Sequence, residues 1–558
     1  MRFDEKVFKQ IIDLFVPYAK PDSPGFAVGI IQADNVIFCQ GFGQADLEHI
    51  SPITPDTVFD VGSMSKQFVG MAIALLEQDG QLSIDDPLHK YLPDFPDYAK
   101  GVTLAHLMYH TSGIRSYFTL AYYVMGYHES DAITKEEVYD LLCRLRSLNF
   151  PPGERWEYCD SNYFLLAEII ERVTGKSLNQ YAQEAIFRPL DMQNTLFRHC
   201  HSQLIRNRAV SYATHPIEFR SPYTYRDRSG DYNSFYSWIS NYEHVGAEGL
   251  FTALTDLFKW SQNFSSNRLG KGGCDLIERV LTPGVQINEE IGYGYGLNVG
   301  RFRGKKFFGH NGAIHAYTSS MMHFLEENVS IICLSNQNME GAWTYRSRIM
   351  DLIFPGCDGV TLSPMPRSQQ EVDLQEQTIL GCYQNPDTAS IWEVVYKENG
   401  LYIRENKDRE FEITRVRLFA YRSVDSNIQI RFETDSAGKV SAIRGVIGEQ
   451  FFTFLPFLHP PPSTGDLIEY AGIYRSDELE TTFIVDVDQQ RLIVRNKNRH
   501  FCSMDLSYIP TIKDSFIAYD PNPTSSQITF LRQAGRIEAF VYRDYDGDGR
   551  EVLKFERK

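Results

Sequence analysis

Ser63-Met64-Ser65-Lys66 sets a hydroxyl and an amine three residues apart at the start of a helix-like run. On a helix that spacing puts both side chains on one face, a turn from each other. A serine hydroxyl is a poor nucleophile at neutral pH, and an uncharged lysine amine within reach can take its proton. Burial and a neighbouring cation both push a lysine towards the uncharged form, and the free N–H groups of a helix start favour developing negative charge. A four-residue pattern with two fixed positions is weak evidence by itself. Two more patterns accompany it: Tyr158-Cys159-Asp160 after the turn-rich Pro151-Pro-Gly-Glu, and His310-Asn311-Gly312 on an apparent strand. A nucleophile, a basic amine, a phenol and a polar group opposite them are the set that acyl transfer requires. Gly312, lacking a side chain, leaves room for a substrate along the strand edge.

The elements that must position these groups can be read from periodicity. Phe3, Val7, Ile11, Leu14 and Phe15 recur at helical spacing. Phe26-Ala-Val-Gly-Ile-Ile and Val36-Ile-Phe-Cys read as two strands across a polar turn. Helices are expected from Met64 to Gln78, stopped by Gly80, and over 162–174, stopped by Gly175. Strands return at Lys306-Phe-Phe-Gly, Thr318-Ser-Ser-Met-Met and Val329-Ser-Ile-Ile-Cys. Strands at both ends with helices between predict an α/β layer with a helical lobe. Ser363-Pro-Met-Pro-Arg-Ser-Gln-Gln reads as a linker, after which short alternating strands dominate. A second break falls at His459-Pro-Pro-Pro-Ser-Thr-Gly, and the pieces on either side match in order: Leu380-Gly-Cys-Tyr with Ala471-Gly-Ile-Tyr, Leu401-Tyr-Ile-Arg with Leu492-Ile-Val-Arg, and Gln429-Ile-Arg-Phe with Gln527-Ile-Thr-Phe. That repeat predicts two copies of a small closed β-barrel. The expected domains are 1–362, 376–460 and 465–558.

The 558 residues carry a formal net charge of −17, with 43% hydrophobic and 13% aromatic residues. This composition supports packed cores and argues against nucleic-acid or anionic-membrane partners. The N-terminus lacks the apolar core of a signal peptide, and no stretch of about 18 apolar residues exists to span a membrane. Nine scattered cysteines without a CxxC pair read as reduced thiols of a cytoplasmic protein. His106 and His110 read as a helix end and not as metal ligands. His199-Cys200-His201 is too compact for a zinc set without further ligands, and Asp544-Tyr-Asp-Gly-Asp-Gly fits an Asp-Gly hairpin better than a calcium loop. Metal is therefore not expected.

The order of the three motifs resembles that of serine β-lactamases, penicillin-binding proteins and their relatives. So do the phrases Phe59-Asp-Val-Gly-Ser-Met-Ser-Lys-Gln-Phe, Gly80-Gln-Leu-Ser-Ile-Asp-Asp-Pro, His110-Thr-Ser-Gly-Ile and Gly292-Tyr-Gly-Tyr-Gly-Leu. A histidine in the third motif, two C-terminal barrels and Tyr474-Arg-Ser-Asp-Glu-Leu-Glu make the chain most similar to the bacterial D-aminopeptidases of that superfamily. The resemblance implies an α+β fold: an antiparallel sheet flanked by helices, a helical lobe, then the two barrels. It implies a homodimer that releases N-terminal D-residues from small peptides, amides or esters without a cofactor. By the same resemblance Ser63 is the acylated nucleophile, Lys66 its proton partner, Tyr158 a proton shuttle to the leaving group, and His310 a substitute for the usual third-motif lysine. The N–H groups of Ser63 and Ala313 would form the oxyanion hole beside Gly312. Two departures stand out. Asp160 replaces the usual asparagine, and an ionised carboxylate cannot donate as an amide does; it would either attract a substrate ammonium or pair with Lys66. The segment Tyr519-Asp-Pro-Asn-Pro-Thr-Ser-Ser is shorter than the loop that shapes the amine pocket in those enzymes, with Asp520 as a candidate partner for the amine. Competing expectations are an esterase or DD-peptidase-like hydrolase, and a peptide-binding protein whose catalysis has decayed.

Overall fold

The computed structural model describes residues 5–33, 35–125, 127, 131–213, 235–238, 241–288, 290–338, 341–354, 379–385, 391–397, 400–405, 409–417, 420–423, 428–435, 439–447, 450–456, 464–488, 491–497, 506–512, 514–518, 527–544 and 550–558. Contacts divide the chain into two units, the first made mostly of residues up to 359 and the second mostly of residues from 360 onwards.

The first unit is built on one antiparallel sheet. Helix α1 (Glu5–Phe15) leads into strands β1 (Phe26–Gln32) and β2 (Asn35–Phe42). A short strand β3 (Val58–Asp60) feeds the turn at Ser63 and helix α2 (Lys66–Gln78). Helix α3 (Asp160–Thr174), strand β4 (Leu250–Ala253) and helix α4 (Leu254–Asn263) follow. Strands β5 (Val285–Gln286), β6 (Ile291–Tyr293), β7 (Asn298–Phe302), β8 (Lys305–Ile314), β9 (Tyr317–Phe324) and β10 (Val329–Ser335) precede helix α5 (Ala342–Ile353). The strand order is β5-β6-β7-β8-β9-β10-β1-β2, so the first strands of the unit close against its last. The strands foreseen at both ends of this region meet in one sheet because Phe26–Gln32 pairs with Val329–Ser335.

Alternation along β1 decides what each face carries. Phe26, Val28 and Ile30 join Ile11, Phe15, Tyr345 and Ile349 in one core under α1 and α5. The Phe15 ring lies 4.8 Å from Phe42 and 4.9 Å from Tyr345. Gly29 points to the other face, where an added Cβ would come within 2.4 Å of the Phe258 ring of α4. The expected helix at Met64 begins later than the periodicity suggested. Gly62–Ser65 is a 3-10 turn, and α-helical bonding starts at Lys66. Helix α3 starts at Asp160 and ends at Gly175, whose φ of 66° is the left-handed conformation that glycine takes without strain.

The second unit holds two closed antiparallel barrels of eight strands each. In the first, Gly381–Gln384 closes on Gln450–Pro456; in the second, Gly472–Ser476 closes on Arg550–Arg557. The sequence matches fall on equivalent strands, the first, third and sixth of each barrel. Tyr383 and Tyr474 are buried at equivalent places, and each donates its hydroxyl to the carbonyl four residues back, Ile379 and Tyr470, at 2.8 Å. Asp544 pairs with Arg550 across two antiparallel strands, and the Asp-Gly turn expected between them lies outside the described residues. Among the described residues no helix is long and apolar enough to cross a membrane.

One consequence of burial is a pH dependence of stability. His323 on β9 is 3% exposed, bonded through Nδ1 to Ser330 Oγ at 2.7 Å, and burial pushes its imidazole down to about 4. Between pH 6.5 and 4 the unfolded chain binds a proton that the folded ring refuses, so stability rises with pH across that window and is lost on acidification. The loss from this group amounts to about 2 kcal/mol between pH 7 and 5. His323→Asn is expected to lose correspondingly less over that interval when denaturant midpoints at the two pH values are compared. An unchanged pH slope would contradict the reading.

Candidate active site

Strands β3 and β4 pair, Asp60 opposite Phe251, and Val61 N–H donates to Leu250 O at 3.0 Å. This brings the Ser63 turn beside Ala247 and Glu248, nearly two hundred residues later. Ser65 braces the same junction: its hydroxyl donates to Gly62 O at 2.6 Å and accepts from Leu250 N–H at 3.1 Å.

Lys66 is fully buried, and its Nζ has three acceptors: Ser63 Oγ at 3.0 Å, Asp160 Oδ1 at 2.6 Å and Ala247 O at 3.0 Å. An ammonium carries three donors, so this cage matches a charged lysine. Nζ also sits 4.7 Å from the centre of the Tyr158 ring, a cation–π contact. Of the two expectations for Asp160, the pairing with Lys66 is realised. Its side chain is nevertheless 23% exposed. Burial pushes the Asp160 carboxyl up, with Lys66 opposing and Glu248 adding to the rise. The carboxylate stands at the first residue of α3, where the helix dipole favours a negative charge.

Tyr158 is held at the floor of the site. Its hydroxyl is buried and makes no hydrogen bond among the described residues. Burial and the Asp160 charge push it well above the ordinary phenol value, while nearby Ser63 opposes that shift without meeting hydrogen-bond geometry. His110, with φ 56°, lies 4.4 Å from the Tyr158 ring centre, and its Nδ1 accepts the Cys159 N–H at 3.1 Å.

His310 lies on β8, its ring 6.1 Å from that of Tyr158. Its Nδ1 faces Asn311 O at 2.5 Å and its Nε2 faces Tyr293 Oη at 3.1 Å. A carbonyl only accepts, so Nδ1 carries the proton and Nε2 receives the tyrosine hydroxyl. Burial and the Lys66 charge push the ring down to about 3, which keeps it neutral. Gly312 is where the strand and the Ser63 turn touch. A Cβ there would stand 1.9 Å from Val61 O and 2.6 Å from Ser319 Oγ. Strand β7 pairs only with Lys305–Gly309, so the rest of β8 has one free edge. With Ile314 opposite Tyr317 across a two-residue turn, the alternation of antiparallel bonds aims the N–H of Ala313 away from β9. Gly62 confirms the approach, since its Cβ would lie 2.9 Å from Ala313 N.

The structure thus brings together Ser63, Lys66, Tyr158, Asp160, His310, Gly312 and Ala313. Asp520 lies outside the described residues. Sequence reasoning did not assign Tyr293 to His310, although Gly292-Tyr-Gly-Tyr-Gly-Leu had been singled out as a phrase. It also did not join Glu248 to its buried partners Tyr117 and His244. Glu248 takes the Tyr117 hydroxyl bond and lies 3.1 Å from His244 Nδ1. Burial works against the Glu248 charge, but His244, Lys66 and Tyr117 together hold its carboxyl below the ordinary value.

The family profile described as Beta-lactamase matches residues 8–352. Over 316 residues the chain is 29% identical to a D-aminopeptidase of Brucella anthropi, a match covering 56% of this chain and 56% of that protein; the chain therefore spans little more than half the length of that relative. A D-aminopeptidase of Gluconobacter oxydans is 25% identical over 466 residues, 83% of this chain and 81% of that one. Among solved structures, the octameric penicillin-binding protein homologue from Pyrococcus abyssi superposes with a TM-score of 0.55 at 22% identity, covering 80% of this chain and 99% of that one. At that identity the likeness concerns the fold.

Replacing Gly312 tests the contact between β8 and the Ser63 turn. Gly312→Ala is expected to lower ester or amide turnover by about 100- to 1000-fold, the cost of misplacing an oxyanion donor, with an unchanged circular dichroism spectrum. Near-normal turnover would show that strand and turn are not held together as described.

Proposed function

From a chain that belongs to the Beta-lactamase family, and is a serine hydrolase of that family, we propose a D-aminopeptidase that removes N-terminal D-residues from small peptides, amides or esters. The observation that carries this reading is the Lys66 cage: Ser63 Oγ and the Asp160 carboxylate share one buried ammonium. Asp160 keeps an exposed side that a substrate ammonium can approach. A second cation beside Lys66 disfavours its charged form, and the released proton leaves to solvent while Asp160 stays ionised to hold the substrate ammonium. Binding a free amine would then convert Lys66 into the base that Ser63 needs.

In this reading Ser63 attacks the carbonyl, and the backbone N–H groups of Ser63 and Ala313 take the developing oxyanion. Tyr158, with no partner for its hydroxyl among the described residues, passes a proton between Ser63 and the leaving amine. His310 acts as a positioning residue, since its ring nitrogens are engaged by Asn311 and Tyr293. The acyl-enzyme is then hydrolysed by water. A homodimer acting in the cytoplasm belongs to the same reading; thiols outside any disulfide at Cys39, Cys143, Cys159, Cys200, Cys274 and Cys333 are in keeping with a reducing compartment. An esterase is the second reading, favoured by the engagement of Asp160 with Lys66 in place of an unpaired amine receptor.

The test is turnover of D-alanine p-nitroanilide beside its L-isomer, its N-acetyl derivative and p-nitrophenyl acetate. Selective release from the free D-amine, abolished in Ser63→Ala and reduced at least about tenfold in kcat/KM by Asp160→Asn, is the expected result, one charge-assisted contact being worth that much. Ester cleavage without amide cleavage would replace the aminopeptidase reading with the esterase one.

A further inference from the structure

The turn at His199-Cys200-His201 is too compact to hold zinc unaided, but the fold brings it a third ligand. Glu243, 42 residues away from His201, places its Oε1 2.5 Å from His201 Nδ1 and 3.5 Å from Cys200 Sγ. The three ligand atoms lie within 4.8 Å of one another, the one such group among the described residues. We propose that Cys200, His201 and Glu243 form a binding site for a borderline-soft divalent cation of the zinc class, with water in the fourth position.

The donor set suits that class of ion. A thiolate, an imidazole and a carboxylate are the zinc ligands, and bond lengths of about 2.0–2.3 Å place tetrahedral donors about 3.2–3.6 Å apart. The Cys200–Glu243 separation already meets that value, and His201 has only to move off its hydrogen bond. The His201 side chain is 43% exposed and that of Glu243 23%, so one coordination position faces solvent. Outer partners that orient ligands are present too. Ser202 Oγ lies 3.0 Å from Cys200 Sγ, Gln203 N–H closes the turn on Cys200 O at 3.0 Å, and Glu243 N–H is anchored on Ile133 O at 2.9 Å. On binding, the Cys200 thiol proton leaves to solvent and the His201 proton moves from Nδ1 to Nε2, so no oxidant or reductant is involved.

Position gives this site a consequence. The segment 241–250 carries Ala247, which accepts from Lys66, and Glu248 beside it. Its far end is already tied down where Arg198 N–H donates to Gly249 O at 2.9 Å and Phe197 pairs with Leu250. A metal at Glu243 fastens the near end to the same stretch of chain, closing a clasp around the segment that supplies the Lys66 cage.

The test is titration of the full, tag-free chain with cobalt(II) and zinc(II) after chelator treatment. Expected are one equivalent bound, a thiolate-to-cobalt charge-transfer band, and a zinc-dependent rise in the unfolding midpoint. Cys200→Ser, His201→Ala and Glu243→Gln should each weaken binding at least about tenfold, given that even outer-shell changes cost 10- to 100-fold, and Cys200→Ser should keep the metal-free hydrolytic rate. Absence of one-to-one binding in the micromolar range, or binding unaltered by Cys200→Ser and Glu243→Gln, would overturn the proposal.

Discussion

Everything at this site is arranged around one buried nitrogen. Lys66 Nζ lies in a fully buried side chain, and an ammonium in such a place is tolerated only when each donor has an acceptor. The acceptors come from three parts of the chain: the turn before α2, the first residue of α3, and a carbonyl in the loop before β4. Removing any one would leave a buried donor unpaired. The helices and the small β3–β4 sheet are therefore held in register by the same interaction that holds the Ser63 hydroxyl.

That requirement explains the close backbone approaches around α2. An added Cβ on Gly70 would stand 2.1 Å from Tyr295 O, and one on Gly296 would stand 2.2 Å from Lys66 O. Helix and loop thus touch main chain to main chain, which fixes the height of Lys66 and also places Tyr293 against His310. Gly312 does the same for the β8 edge and the Ser63 turn. These glycines are needed for the room they leave, and Gly296, at φ 75°, also for its backbone conformation.

Much of this was legible in the sequence because the chemistry is written in short local patterns. Ser63 with Lys66, Tyr158 with Asp160, and His310 with Gly312 each occupy four residues or fewer, and the barrel repeat shows in ordered matches that fall on equivalent strands. Less legible were partners supplied by the main chain or by distant pairing. Ala247 contributes a carbonyl, which no residue type announces. Asp160 was ambiguous because its choice between Lys66 and a substrate depends on a 2.6 Å contact across 94 residues. Glu243 could not be joined to Cys200 without knowing that the chain returns past the turn, and the 3-10 start of the helix at Ser63 reflects tertiary packing that periodicity does not carry.

The central claim is that the Lys66 cage exists to make Ser63 an acyl acceptor. Intact-mass and peptide mapping after incubation with a fluorophosphonate or a β-lactam tests it most directly. A single adduct on Ser63, lost in Lys66→Ala while the variant stays folded, is the predicted result. An adduct on another residue, or labelling of Ser63 that proceeds equally well without Lys66, would contradict the account.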